Sequence, residues 1–159
     1  MLRGSASLQL AIFWRIAIAA GLGFIVGMER EWRGKQAGER TFALVALGCA
    51  GFTAIGVEMF PSSAEKIMAG VATGIGFLGV GIIWRMEGGQ TRGLTTAAAN
   101  WAVAAIGVLT GTGLILAACL STLLCLLILE LYNLPLIGRV LDRSSADDAT
   151  PGPVPPPAG

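Results

Sequence analysis

Five apolar runs, at about 8–28, 41–57, 67–84, 94–110 and 113–131, dominate a chain of 159 residues. Each has about the length that a helix needs to cross a bilayer, roughly 20 residues at 1.5 Å rise. Charged residues are only 13% of the chain and mean hydropathy is +0.72, so there is no charged shell for a soluble globule of this size. Lipid offers the backbone no hydrogen-bond partner, which forces each run to satisfy itself as a helix. A β-barrel would need alternating segments of about ten residues, and the runs do not alternate. The expected fold is therefore an all-α membrane protein, a bundle of five transmembrane helices.

A signal peptide is the rival reading of the first run. That run is too long for an h-region and is followed by Glu29-Arg30-Glu31 instead of a cleavage site. The positive-inside rule then sets the orientation. Arg30, Arg33, Lys35, Arg40, Arg85, Arg92, Arg139 and Arg143 fall on one side, and Arg3 and Lys66 on the other, with Arg15 inside the first run. Eight against two puts the N-terminus outside and the C-terminus in the cytoplasm. The expected organisation is an N-terminal segment 1–7, a transmembrane domain 8–137, and a Pro-rich tail 138–159 that is too polar to form a core and is read as disordered.

Composition also excludes functions. A net charge of +1 provides no field for nucleic acid. There is no His, hence no imidazole base, proton switch or metal ligand. Neither a P-loop nor a nucleophile elbow appears, and the only Asp residues are 142, 147 and 148. The chain is expected to be non-enzymatic and to need no cofactor. Cys49, Cys119 and Cys125 all lie in apolar runs and read as small packing residues, not as a disulfide framework.

Helices in lipid associate by close packing, which small residues permit. Gly23 and Gly27 in the first run, Gly70, Gly74, Gly76 and Gly79 in the third, and Gly107 and Gly111 in the fourth are the candidate packing positions. They place helices one, three and four in the interior and the Leu-rich helix five toward lipid. Seven glycines between 70 and 89 also allow a bent or broken third helix. The same small-residue faces suit a compact bundle, a homodimer or a contact with other membrane proteins.

Charges at bilayer depth cost roughly 2.5–3.5 kcal/mol on insertion scales and therefore seek partners. Arg15 and Glu58 fall in the same outer half, so the two are expected either to pair or to leave Arg15 snorkelling alone. A denser set lies at the cytoplasmic interface: Glu29, Arg30, Arg33, Arg40, Thr41, Arg85, Glu87, Arg92, Thr95, Thr96 and Asn100. Thr96 and Asn100 are one helical turn apart and share a face. This cluster reads as a positive-inside anchor with helix caps. Alternatively it is a polar mouth in which carboxylates hold a hard cation through water or arginines hold phosphate or lipid headgroups.

Three blocks carry a family resemblance: GFIVGMEREWRGKQAGERTFALVALG at 23–48, GVATGIGFLGVGIIWR at 70–85 and RGLTTAAANWAVAAIGVLTGTG at 92–113. Read together and in this order, they resemble the MgtC/SapB family of bacterial inner-membrane proteins. The resemblance implies a five-helix domain in the inner membrane. It also implies a link to magnesium homeostasis, growth in low magnesium and, in some pathogens, virulence. Regulation of other membrane machinery, the ATP synthase included, is the activity it suggests, with a small magnesium or other ion transporter as the alternative. By motif the family's polar positions fall on Glu29, Arg30, Arg33, Gly38, Arg40, Thr41, Arg85, Glu87, Arg92, Gly93, Thr95 and Thr96. The loop RMEGGQTR at 85–92 is one residue longer than the family's usual form, which fixes the match at Glu87 only to within one position. The namesake type carries a cytoplasmic α/β domain after its fifth helix. Only 28 residues follow Leu131 here, so a short form without that domain is expected.

Overall fold

The computed structural model describes residues 5–84 and 93–131. These form five α-helices: α1 (Ala6–Trp32), α2 (Glu39–Met59), α3 (Ala64–Trp84), α4 (Leu94–Gly111) and α5 (Ile115–Leu131), with a short 3-10 turn at Pro61–Ser63. The first four are long and apolar enough to cross a membrane, while α5 has 17 residues. That is the lower limit for a crossing, which runs from about 17 to 25 residues. The chain divides into two compact units, 1–126 and 127–159. The packing described below lies in the first; the described part of the second is the last turn of α5.

The helix ends follow from local chemistry. Ser5 caps α1 by accepting the Leu8 amide at 3.3 Å. At the other end Gly34 adopts φ +64°, and the amides of Gly34 and Lys35 donate to the carbonyls of Glu31 and Arg30 at 2.9 Å each. This is a Schellman motif, which needs a left-handed residue just past the helix. It reverses the chain in six residues, so that α2 returns antiparallel along α1. Two buried threonines are satisfied within their own helices: Thr110 and Thr122 donate to the carbonyls four residues back, at 2.7 and 2.9 Å.

Helix α4, expected in the interior, is the most buried, and next to it comes α2. The small face of α2, Ala46, Cys49, Ala50, Thr53 and Ala54, is buried along its length. Gly23 and Gly27 of α1 press on one side of it. A methyl group at Gly23 would lie 2.5 Å from the Phe42 carbonyl oxygen, and one at Gly27 2.4 Å from the Glu39 Cα. On the other side, a methyl group at Gly107 or Gly111 would lie 2.6 Å from the carbonyl oxygens of Ala46 and Ala50, respectively. The rising numbers on both helices make α2 and α4 parallel. The glycines thus allow backbone-to-backbone approach, the device that holds helices together where lipid removes the hydrophobic drive.

Helix α3 departs from the expectation that it belongs to the interior. An added methyl group would meet nothing within 4 Å at Gly70, Gly74 or Gly76, and at Gly79 only the Ala97 Cβ at 3.8 Å. Only 11% of its most apolar window is buried, against 44% for α2 and 50% for α4. Ile67 of α3 lies against Gly56 of α2, and Ile75 packs between Cys49 of α2 and Ala104 of α4 with Val45, Val71 and Val108 around it. Hollows flank this contact on both sides, one of about 740 Å³ against α2 and one of about 350 Å³ against α4. The physical reason is that small residues permit a close approach without compelling it; α2 has its close approaches taken up by α1 and α4. Despite its glycines, α3 is one continuous helix. On α5, Leu116, Leu120, Leu123 and Leu124 point outward, away from the packed interior. All three cysteines are free thiols, with Cys119 exposed and the other two buried.

Candidate functional site

The register of the helices gathers polar residues at two levels. The end that holds the C-terminus of α1 and the N-termini of α2 and α4 carries the larger group. Arg30 is 3% exposed, unusually buried for an arginine, and its Nε and Nη2 donate to the two carboxylate oxygens of Glu29. A two-pronged contact of this kind suits the planar guanidinium. Arg33 approaches the same carboxylate at 3.8 Å from one turn further on. Glu29 therefore serves two arginines. Arg40 is exposed and lies 3.8 Å from Glu39. Thr41 is exposed on the first turn of α2.

On α4, Thr96 and Asn100 are both buried, Asn100 at 1% exposure. The Asn100 Oδ1 finds no hydrogen-bond partner among the described residues, and neither does Thr53 Oγ1. Thr95, one position before Thr96, is exposed. Gly93 precedes the helix with φ +95°. Arg85, Glu87 and Arg92 lie outside the described residues. Of the expected cluster, the structure thus joins Glu29, Arg30 and Arg33 in one ionic group and sets Arg40 and Thr41 on the α2 rim beside it.

Glu31, which follows the first run with Glu29 and Arg30, and Glu39, which no sequence signal marks, also take part here. The Glu31 carboxylate lies over Gly38, so close that a methyl group there would meet its Oε2 at 1.8 Å. With Gly38, Glu39, Arg40 and Thr41 it lines a hollow of about 310 Å³. The available signal was Gly38 itself, since a residue without a side chain between two charged segments leaves room for a carboxylate. Among the described residues no group of three or more His, Cys, Asp or Glu is arranged to hold a metal ion.

The opposite end carries the second polar group. Arg15 Nη1 donates to Glu58 Oε1 at 2.9 Å and to the Gly111 carbonyl at 3.2 Å. Of the two expectations for Arg15, pairing with Glu58 is the one the structure displays. Its side chain also borders Gly113, which turns the chain with φ +91°. One guanidinium thereby ties α1, α2 and the C-terminal end of α4, where a cation suits the helix dipole. Both partners are about a quarter exposed, at 25% and 26%. Reversing either charge alone is expected to cost about 1–3 kcal/mol, less than a fully buried pair would. The double exchange Arg15→Glu with Glu58→Arg is expected to recover part of that loss but not all, because the Gly111 carbonyl keeps no donor. Unfolding of the four proteins in mixed micelles measures this. Equal stability of the double exchange and the worse single reversal would show that the pair contributes nothing.

The chain matches the family model "MgtC family" over residues 16–134. A protein of Salmonella typhimurium named Protein MgtC is 48% identical over 105 residues, which cover 66% of this chain and 45% of that protein. The Protein MgtC of Brucella abortus is 47% identical over 102 residues, covering 64% of this chain and 42% of its own length. This chain thus aligns with less than half the length of the curated relatives it matches. No solved structure matches it.

Proposed function

This chain belongs to the MgtC family, and from that premise we propose a multi-pass protein of the bacterial inner membrane that serves magnesium homeostasis by contact with other membrane proteins. In this reading the N-terminus is outside and the polar end bearing Glu29 and Arg30 faces the cytoplasm, following the distribution of Lys and Arg. The protein is non-enzymatic and regulates its partners. The observation that supports contact over transport is the packing of α2. Glycine-to-backbone approaches close it against α1 and α4. Two apolar-lined hollows, of about 740 and 350 Å³, flank α3 instead. A hydrated magnesium ion is bound by oxygen and keeps several waters, so such hollows suit it poorly. Helix α3, the least buried of the four longer helices, is the element through which partner contact would act.

Transport of magnesium or another ion is the second reading, favoured by the buried Arg30 and the unpartnered Asn100 at the polar end. Purified protein in liposomes with an internal magnesium-sensitive dye separates the two. The expected result is no flux above that of empty vesicles, with cross-linking in native membranes recovering other membrane proteins. Flux by the wild type that is absent from Glu29→Gln, with the variant shown to be folded by circular dichroism, would overturn the regulatory reading.

A further inference from the structure

The larger hollow is a groove between α2 and α3, about 740 Å³ in volume, with Thr41, Leu44, Phe52, Gly70, Gly74 and Leu78 among its walls. From Thr41 to Phe52 it runs along α2 for about 16 Å at ~1.5 Å per residue. That is about half of the ~30 Å hydrocarbon core, the depth of one leaflet. Space of this size at lipid depth is neither wetted nor left empty, since water finds no polar partners there and a void forfeits dispersion contacts. The glycines keep it open: an added methyl group at Gly48, Gly70 or Gly74 meets nothing within 4 Å.

At one end the groove reaches the water boundary. Thr41 lines both this groove and the polar hollow formed with Glu31, Gly38, Glu39 and Arg40. That hollow presents two carboxylates and one guanidinium, with Arg40 93% exposed and 3.8 Å from Glu39. An apolar slot one leaflet deep, opening onto a mixed-charge pocket at its mouth, has the form of an amphiphile with a zwitterionic head.

We propose that this groove seats one acyl chain of a glycerophospholipid with a phosphoethanolamine headgroup. The chain lies along α2 and α3. The primary ammonium, with three N–H donors, meets Glu31 and Glu39, and the phosphate meets Arg40. Charge complementarity selects this headgroup. A quaternary choline has no N–H to donate. Among the described residues lining the mouth, an anionic phosphoglycerol head would find one cation and two repelling carboxylates. The seat is independent of which partner the protein regulates.

The test is native mass spectrometry of the full-length protein released from mild detergent, with the retained lipid identified by fragmentation. Wild type is expected to keep one phosphoethanolamine lipid. Gly74→Leu, whose Cβ would meet nothing within 4 Å, projects into the groove and is expected to reduce its occupancy about tenfold with helicity and melting unchanged. The double variant Glu31→Gln/Glu39→Gln is expected to retain phosphoethanolamine and phosphoglycerol lipids equally. As a measurement without substitutions, wild type in vesicles with photoactivatable acyl chains should cross-link on α2 and α3, more from phosphoethanolamine than from phosphoglycerol lipid. Equal occupancy in wild type and Gly74→Leu overturns the seat, as does preference for the anionic lipid. A cross-link in the groove to a second copy, or to another polypeptide in place of lipid, overturns it too.

Discussion

Gly107→Leu is expected to leave no folded bundle in detergent, whereas Gly74→Leu is expected to fold as the wild type does. Both are glycines in the middle of apolar helices, and by composition they are equivalent. The difference is what stands opposite. A methyl group at Gly107 already falls 2.6 Å from the Ala46 carbonyl oxygen and 2.8 Å from the Cys49 Cβ. The nearest atom is backbone, which cannot rotate away as a side-chain tip does, so α4 would have to leave α2. Gly107→Ala is expected to cost about 2–3 kcal/mol, at the upper part of the usual overpacking range. The leucine exceeds what a bundle with few kilocalories in hand can absorb. Gly111→Leu should behave alike against Ala50, at 2.6 Å from its carbonyl oxygen. Unfolding by added SDS, followed by circular dichroism, measures both. Equal midpoints for Gly107→Leu and Gly74→Leu would mean that α2 and α4 do not pack as described.

Arg30→Ala is the second large effect expected, about 3–5 kcal/mol, the usual range for breaking a buried ion pair from one side. The loss comes from what remains. Glu29, with 11% of its side chain exposed, would keep only Arg33, whose Nε lies 3.8 Å away and whose side chain is 41% exposed. A carboxylate so placed is desolvated without compensation. Arg30→Lys should fall between wild type and Arg30→Ala, because an ammonium supplies the charge but not the fork that meets both carboxylate oxygens. Exchange of Arg30→Ala with Glu29→Ala in a double-mutant cycle isolates the coupling. A cost for Arg30→Ala below about 1 kcal/mol, the level of a surface pair, would place this ion pair in water.

Much of this architecture was legible in the chain because it depends on local physics. Long apolar runs must become helices in lipid, and the helix bounds fall within a few residues of the runs. Depth alone brings Arg15 and Glu58 into one outer half and leaves pairing and snorkelling both open; the structure displays the pair. Gly34 was not predicted to turn the chain, although a lone glycine after Arg33 and before Lys35 is the ordinary mark of a helix end.

The candidate site was less legible. Arg30 follows Glu29 directly, and neighbours on a helix do not normally face each other; a pairing between them has no spacing signature. Glu31 stands in the charge cluster after the first run, but its place over Gly38, seven positions away and beyond the turn, has no local signal. The burial of Asn100 depends on which helices cover α4, a long-range fact.

What the sequence determined by itself was the solvent this protein folds in, the number and type of its helices, and the family to which it belongs. Apolar length and motif order carry that information residue by residue. What only the tertiary structure decided was which helix lies inside. Small residues recur at similar spacing on α1, α2, α3 and α4, and each such face is equally able to be approached. The choice falls to pairwise fit: α2 and α4 meet closely at Gly107 and Gly111 and bury the largest shares of their lengths, while Gly70, Gly74 and Gly76 of α3 meet nothing and leave a groove. Close packing is a property of two surfaces, and a sequence writes only one of them at a time.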